Sequence, residues 1–258
     1  MNQLNKDHQQ PFTNSGFSLA LTADGSPTLA LNTQESTESM HHSGGAASET
    51  WYIYGNILKS CLSTTLDQPL QVACVGLGLG YVEMTWALNC LKQNKKSEID
   101  SFEIVPGLIE SFRKWFKKEV GETIATYNLA LKKLVAVKNE FWEVENQVKD
   151  FLSQQDQNNF RIHSDILNFT ETKKWHVICF DAFSKKSSAT LWTEEFLNSF
   201  LENHTQADCV FTTYACTSQL KRVLKNHDFN LINRPGFSGK RESTLAVRGS
   251  LFLTDYSE

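Results

Sequence analysis

From residue 70 onward, apolar positions fall into short continuous runs that alternate with stretches of helical period. Leu70–Val75 is an apolar run bounded by turn residues, as expected of a buried strand, and 81–91 follows with helical spacing. The same pair recurs as a strand at 99–104 and a helix at 106–118, which has Pro106 in its first turn, where the missing N–H costs nothing. Further strands are expected at 160–163, 177–181 and 208–214, with helices at 192–202 and 217–226, the last capped by Thr217. Strands at 229–233 and 243–248 have no helix between them and predict an antiparallel hairpin. Strands alternating with helices imply a mostly parallel sheet covered on both faces.

Two regions depart from this rhythm. Residues 17–21 and 27–31 flank Ala23-Asp24-Gly25-Ser26, and Asp-Gly between apolar stretches signals a β-hairpin. A small-residue segment at 38–46 follows, then an aromatic stretch at 49–58 that reads as a short helix. At 122–153, Leu129, Leu131, Leu134, Val135, Phe141, Val144, Val148, Phe151 and Leu152 recur at helical spacing. That is more chain than a βα connection needs, so it reads as a helical insertion, either packed on the core or lying over a substrate. The expected organisation is a disordered tail (1–15), a β-rich extension over the ligand site (16–66), and a Rossmann-like α/β domain (67–258) carrying the insertion.

Composition narrows the class. With 25 Lys and Arg against 29 Asp and Glu, the formal net charge of −4 argues against indiscriminate binding of phosphate backbones. The six cysteines form no CxxC pair and read as small core residues in a reducing compartment. No apolar run approaches a membrane span, and the N-terminus lacks an apolar signal core. A soluble cytoplasmic protein without metal or membrane partner is the expectation.

The chemistry-bearing residues sit at the carboxyl ends of the predicted strands, where open parallel sheets bind ligands. Gly76, Gly78 and Gly80 form G-x-G-x-G between a strand and a helix, which lets backbone N–H groups and a helix N-terminus face a ligand. Glu103 ends the next strand, where an acid accepts hydrogen bonds from ribose hydroxyls. These features fit a nicotinamide dinucleotide or S-adenosylmethionine, but the third glycine comes too early for the dinucleotide fingerprint. Asp165 and Ile166 follow the third strand and are placed to receive and cover an adenine; an ordinary helix-capping role for Asp165 is the competing reading. Asp181 follows four buried residues, and an acid there is costly unless it faces a cleft or a partner. His41 and His42 lack a third ligand at useful spacing, so they suggest a pocket wall before a metal site. Arg234, Lys240 and Arg241 at the last turn, with Lys185, Lys186, Lys221, Arg222 and Lys225, suggest a basic rim for RNA or an acidic substrate.

Together these residues resemble the MnmC-type methyltransferase domain. The resemblance rests on Asp24-Gly25-Ser26-Pro27, residues 38–49, the Gly76–Gly80 loop, Ser101–Pro106, and Phe180–Ser184 with Leu191-Trp192-Thr193. It rests most of all on Thr212-Thr213-Tyr214, Gln219–Leu224 and Gly236–Glu242. It implies a class I methyltransferase fold with a seven-stranded sheet, and transfer of a methyl group from S-adenosylmethionine to the aminomethyl amine of a tRNA wobble uridine. Carried over by residue, Gly76, Gly78, Gly80, Glu103 and Glu49 would hold the cofactor's methionine and ribose parts, and Asp165 and Ile166 its adenine. Asp181 would be the catalytic acid, accepting a hydrogen bond from a neutral amine that attacks in line. Lys185, Lys240 and Arg241 would contact the substrate. Two departures stand out: Ser184–Ser188 replaces an Ala/Pro/Asn-rich loop, and Cys74-Val75 replaces the usual acid before the glycines. The stand-alone form, without an oxidase domain, is the expectation. The alternatives are an aminopropyltransferase or small-amine methyltransferase on the same core, and a non-catalytic RNA-binding descendant.

Overall fold

A computed structural model of the chain describes residues 12, 16–32, 37–138, 144–239, 242–250 and 252. Its centre is a seven-stranded sheet built from β4 (Leu70–Val75), β5 (Ser97–Phe102), β6 (Phe160–His163), β7 (Trp175–Phe180), β8 (Thr205–Thr213), β9 (Asn230–Ile232) and β10 (Thr244–Arg248). The spatial order is β6-β5-β4-β7-β8-β10-β9. β4 pairs in parallel with β5 and β7, β5 with β6, and β7 with β8, while β10 runs antiparallel between β8 and β9. This is the mostly parallel sheet that the alternating pattern implied, in the class I methyltransferase order that the resemblance implied. Expected strand positions hold to within two or three residues, which leaves Glu103 and Asp181 just beyond the ends of β5 and β7.

β4 and β7 are almost wholly buried, because a central parallel strand is covered on both faces. Helices α3 (Tyr81–Gln93), α4 (Pro106–Phe116), α7 (Glu194–His204) and α8 (Ser218–Asn226) supply that cover. Thr217 caps α8 as expected, its hydroxyl accepting from the Leu220 N–H at 3.1 Å. All six cysteines are free thiols, and five are buried.

The Asp24-Gly25 hairpin forms as predicted, β1 (Phe17–Leu21) pairing antiparallel with β2 (Pro27–Asn32), and β3 (Thr37–Ser39) adds a third strand. Asp24 ties this small sheet to the next helix: its carboxylate accepts from the Ser26 N–H at 2.9 Å and the Ser48 hydroxyl at 2.9 Å. The helix is longer than expected and irregular. α1 (Ala46–Thr50) runs through a π-helical turn (Trp51–Gly55) into α2 (Asn56–Ser63).

The helical insertion is α5 (Ile124–Val137) and α6 (Glu145–Gln155). It packs on the core: Tyr127, Leu131, Leu134, Val148 and Leu152 are all buried. α5 also buttresses the N-terminal region, since its Leu134 carbonyl accepts from the Trp51 indole at 2.8 Å and its Lys133 donates to the Asp24 carbonyl at 2.9 Å. The expected tail lies outside the described residues apart from Phe12, whose ring is buried edge-on to Tyr127.

Candidate active site

The glycine turn leaves β4 at the sheet edge where β5, β6 and β7 also end. Gly76 has φ +107°, and a Cβ there would lie 2.6 Å from the Asp181 carbonyl oxygen, so the turn and the end of β7 run backbone against backbone. Gly80 has φ +69°, and a Cβ there would sit 2.2 Å from the Phe112 ring. Its bareness lets α3 start against α4. Glu103 holds the turn from the other side: one carboxylate oxygen accepts from the Gly78 N–H at 3.0 Å, the other from the Val105 N–H at 2.9 Å. Burial raises its pKa, against the pull of those backbone donors.

Beside the turn opens a cleft of about 390 Å³. Its floor includes Gly76, Leu77, Gly78, Asp181 and Tyr214, and its roof is Glu38 to Ser43 with Glu49. Met40 lies over the turn, its sulfur 3.1 Å from the position of a Cβ on Gly78. Glu38 clasps the roof to the far rim by accepting from the Ser184 N–H at 3.0 Å and from the Ser187 hydroxyl. His41 turns its Nδ1 to the Thr28 hydroxyl at 3.0 Å and its ring edge to Tyr81. Burial pushes the His41 pKa down to about 4, so it is a neutral wall at physiological pH. His42 donates its backbone N–H to Glu49 at 2.6 Å, and its Nδ1 accepts from the Gly44 N–H at 3.0 Å.

Three carboxylates, Glu38, Glu49 and Asp181, line the cleft, and among the described residues no lysine or arginine does. Asp181 accepts a 2.6 Å hydrogen bond on Oδ1 from Tyr54. Burial drives its pKa well up and the charges of Glu49 and Glu83 add to this, while the Tyr54 hydrogen bond opposes it. Glu83 lies buried beneath the turn, accepting from Ser101 at 2.6 Å, and burial raises its pKa to about 7. Such a cleft suits a ligand carrying positive charge, and its raised carboxyl is placed to take a proton from an amine.

Of the residues expected from sequence, Gly76, Gly78, Glu49 and Asp181 line the cleft. Gly80 and Glu103 support the turn. Asp165 caps a short 3-10 turn, accepting from the Leu167 N–H and the Asn168 amide, both at 2.9 Å, and Ile166 is buried. Lys185 is exposed on the loop after β7, while Lys240 and Arg241 lie outside the described residues. Part of the expected basic rim is paired or buried. Lys221 pairs with Glu242, and Arg222 with Glu194 at 2.6 Å. Arg234 is buried, donating to Ser243 at 2.8 Å and to the Ile53 and Thr244 carbonyls. Sequence reasoning did not single out Tyr54, which sits in an aromatic run, or name Met40 and Tyr214 as site residues. It also passed over Ile104, whose apolar side chain is 70% exposed directly after Glu103.

Residues 129–249 match the family described as S-adenosyl-L-methionine-dependent methyltransferase. The glycine turn precedes the matched stretch. The bifunctional tRNA 5-methylaminomethyl-2-thiouridine biosynthesis protein MnmC of Hahella chejuensis is 34% identical over 67 residues, 26% of this chain and 10% of that protein. An uncharacterized protein of Methanocaldococcus jannaschii is 27% identical over 251 residues, 91% of this chain and 60% of its own length. The chain thus spans a tenth of the first curated relative and about three fifths of the second. The crystal structure of MnmC2 from Aquifex aeolicus shares the fold, with a TM-score of 0.62 at 22% identity over 90% of this chain and 70% of that one.

Proposed function

We propose that this chain, which matches the S-adenosyl-L-methionine-dependent methyltransferase family over residues 129–249, methylates a primary amine, the aminomethyl group of a modified wobble uridine in tRNA. The observation that carries the reading is the acid-lined cleft at the glycine turn, with Asp181 in its wall. The donor set fits this cofactor better than a dinucleotide: a pyrophosphate would meet three carboxylates and, among the described residues, no cation. When bound, S-adenosylmethionine supplies a methyl group activated by a positively charged sulfur.

In this reading Gly76 and Gly78 offer backbone to the methionine part, with Gly80 and Glu103 holding the turn and Glu103 reaching a ribose. Glu49 faces the same part from the roof. Asp165 and Ile166 border the adenine site, and Ile104 is the exposed apolar surface that a flat ring would cover. The N-terminal extension (16–66) closes over the cofactor site, and residues from 67 on form the catalytic domain. Asp181 accepts a hydrogen bond from the acceptor amine, fixes its lone pair, and receives the proton released as the new C–N bond forms. Neutral His41 keeps the roof free of competing positive charge. Lys185, Lys240 and Arg241 contact the RNA, and the enzyme works in the cytoplasm with its tRNA. The family match favours methyl over aminopropyl transfer.

Incubation with methyl-labelled cofactor and undermodified tRNA, followed by nucleoside analysis, tests the reading. Label is expected in a wobble uridine. Label in a small amine, with none in tRNA, would overturn the substrate and retain the enzyme class.

A further inference from the structure

We infer that Tyr54 is a positioning residue for the reaction: its hydroxyl occupies Oδ1 of Asp181 and leaves Oδ2 as the oxygen offered to the acceptor amine. This rests on Asp181 being the amine-facing acid proposed above.

The geometry comes from an irregular helix. Tyr54 lies in the π-helical turn between α1 and α2, and π turns recur at functional sites because they redirect side chains and release backbone groups. The released groups are taken up elsewhere: the Ile53 carbonyl accepts from the Thr212 hydroxyl at 2.6 Å and from Arg234 at 3.2 Å. Arg234 is in turn held by Ser243, Thr212 and the Thr244 carbonyl. The sheet strands β8 and β10 therefore anchor the π turn beside the residue that presents the phenol. Tyr54 is 2% exposed, and its short 2.6 Å bond ends on the cleft-lining carboxylate. Among the described residues, no hydrogen bond reaches Oδ2 of Asp181.

The surroundings make this donor consequential. Around Asp181 stand Glu49 on α1, Glu83 on α3, Cys74 on β4, Cys179 on β7 and Tyr214 after β8. Burial and the two glutamates favour the protonated acid, whereas acceptance of an amine proton requires the carboxylate. The Tyr54 hydrogen bond works in the carboxylate's favour.

Tyr54→Phe removes one oxygen and keeps the ring. Two readouts are set against each other. In protein labelled with 13C at aspartate carboxyls, with the Asp181 signal assigned through Asp181→Asn, the Asp181 inflection moves up by about one to two pH units in Tyr54→Phe. Placing 3,5-difluorotyrosine at position 54 makes the phenol a stronger donor and moves the inflection down, a pair of opposite shifts that a merely structural role would not produce. On undermodified tRNA, the acid limb of kcat moves up with the inflection, while KM for S-adenosylmethionine stays within about twofold. Unmoved inflections in both variants overturn the inference, whatever the substrate proves to be. Shifted inflections with full kcat in Asp181→Asn would instead overturn the amine-facing role of Asp181, and with it the positioning role.

Discussion

Asp181 and Glu83 are two carboxyls a short way apart under one turn, and their burial raises both. Their uses differ. Asp181 faces the cleft, so Asp181→Asn is expected to lower kcat by about 10²–10⁴-fold while S-adenosylmethionine affinity, read by calorimetry, changes little. An undiminished rate would reject its role. Glu83 faces no solvent and reads out in stability. Its folded pKa of about 7 lies above the unfolded value near 4.5, so the folded state binds the proton more tightly. Stability from this group is full below about pH 4.5 and falls as pH rises toward 7. Glu83→Gln lacks that loss, and its unfolding free energy relative to the parent should rise by about 3 kcal/mol between pH 4.5 and 8. Parallel pH dependences in urea titrations of the two proteins would contradict this. Asp181 was legible in the sequence because a polar residue ending an apolar strand is costly without a purpose. Tyr54 was not, because in an aromatic run a functional phenol and a core ring carry the same signal.

At the scale of elements, the βαβ rhythm from Leu70 to Arg248 was readable, since buried parallel strands and amphipathic helices impose different periods. The π turn was hidden, because one extra residue in a helix shifts the face without breaking the pattern. Its support is testable. Thr212 both donates to Ile53 and accepts from Arg234, so Thr212→Val removes two buried hydrogen bonds while Ile53 and Arg234 keep their bonds to each other and to Thr244, and should cost about 1–2 kcal/mol in urea unfolding. The α3 start is tighter still. Gly80→Ala would force a Cβ into Phe112 at a left-handed φ, at a cost of about 2–5 kcal/mol, with loss of cofactor binding as the turn shifts. A variant with unchanged melting would show that α4 yields freely. The pairing of Lys221 with Glu242 and of Arg222 with Glu194 could not be read from composition, because the partners are remote in sequence.

Across the whole molecule, the N-terminal sheet, the insertion and the Rossmann-like core are joined by few but well-placed bonds. Asp24 reaches α1, α5 reaches both Asp24 and Trp51, and Glu38 reaches the loop after β7. The cleft is thus assembled from parts far apart in the chain, which is why its glycines, its acids and the covering extension were legible singly and the bonds that join them were not. With a formal net charge of −4 and an acid-lined cleft, the chain has little long-range attraction for RNA. Affinity for the tRNA proposed above as substrate would then fall to a few cations. Replacing Lys240 and Arg241 together by alanine should raise KM for tRNA about tenfold and flatten its dependence on salt, with cofactor affinity unchanged. An unaltered salt slope would remove that turn from the interface.

β10 lies between β8 and β9, although it follows both in the chain. As the polypeptide leaves the ribosome, β8 waits with one edge unpaired and β9 with no neighbour at all until residue 248 has emerged. The nascent protein therefore exposes a sticky strand edge throughout the synthesis of α8 and the turn that follows it, and its final step in folding is an insertion rather than an addition. A stop codon between Tyr214 and β10 would leave that half-open sheet as the permanent product, with every residue of the cleft present.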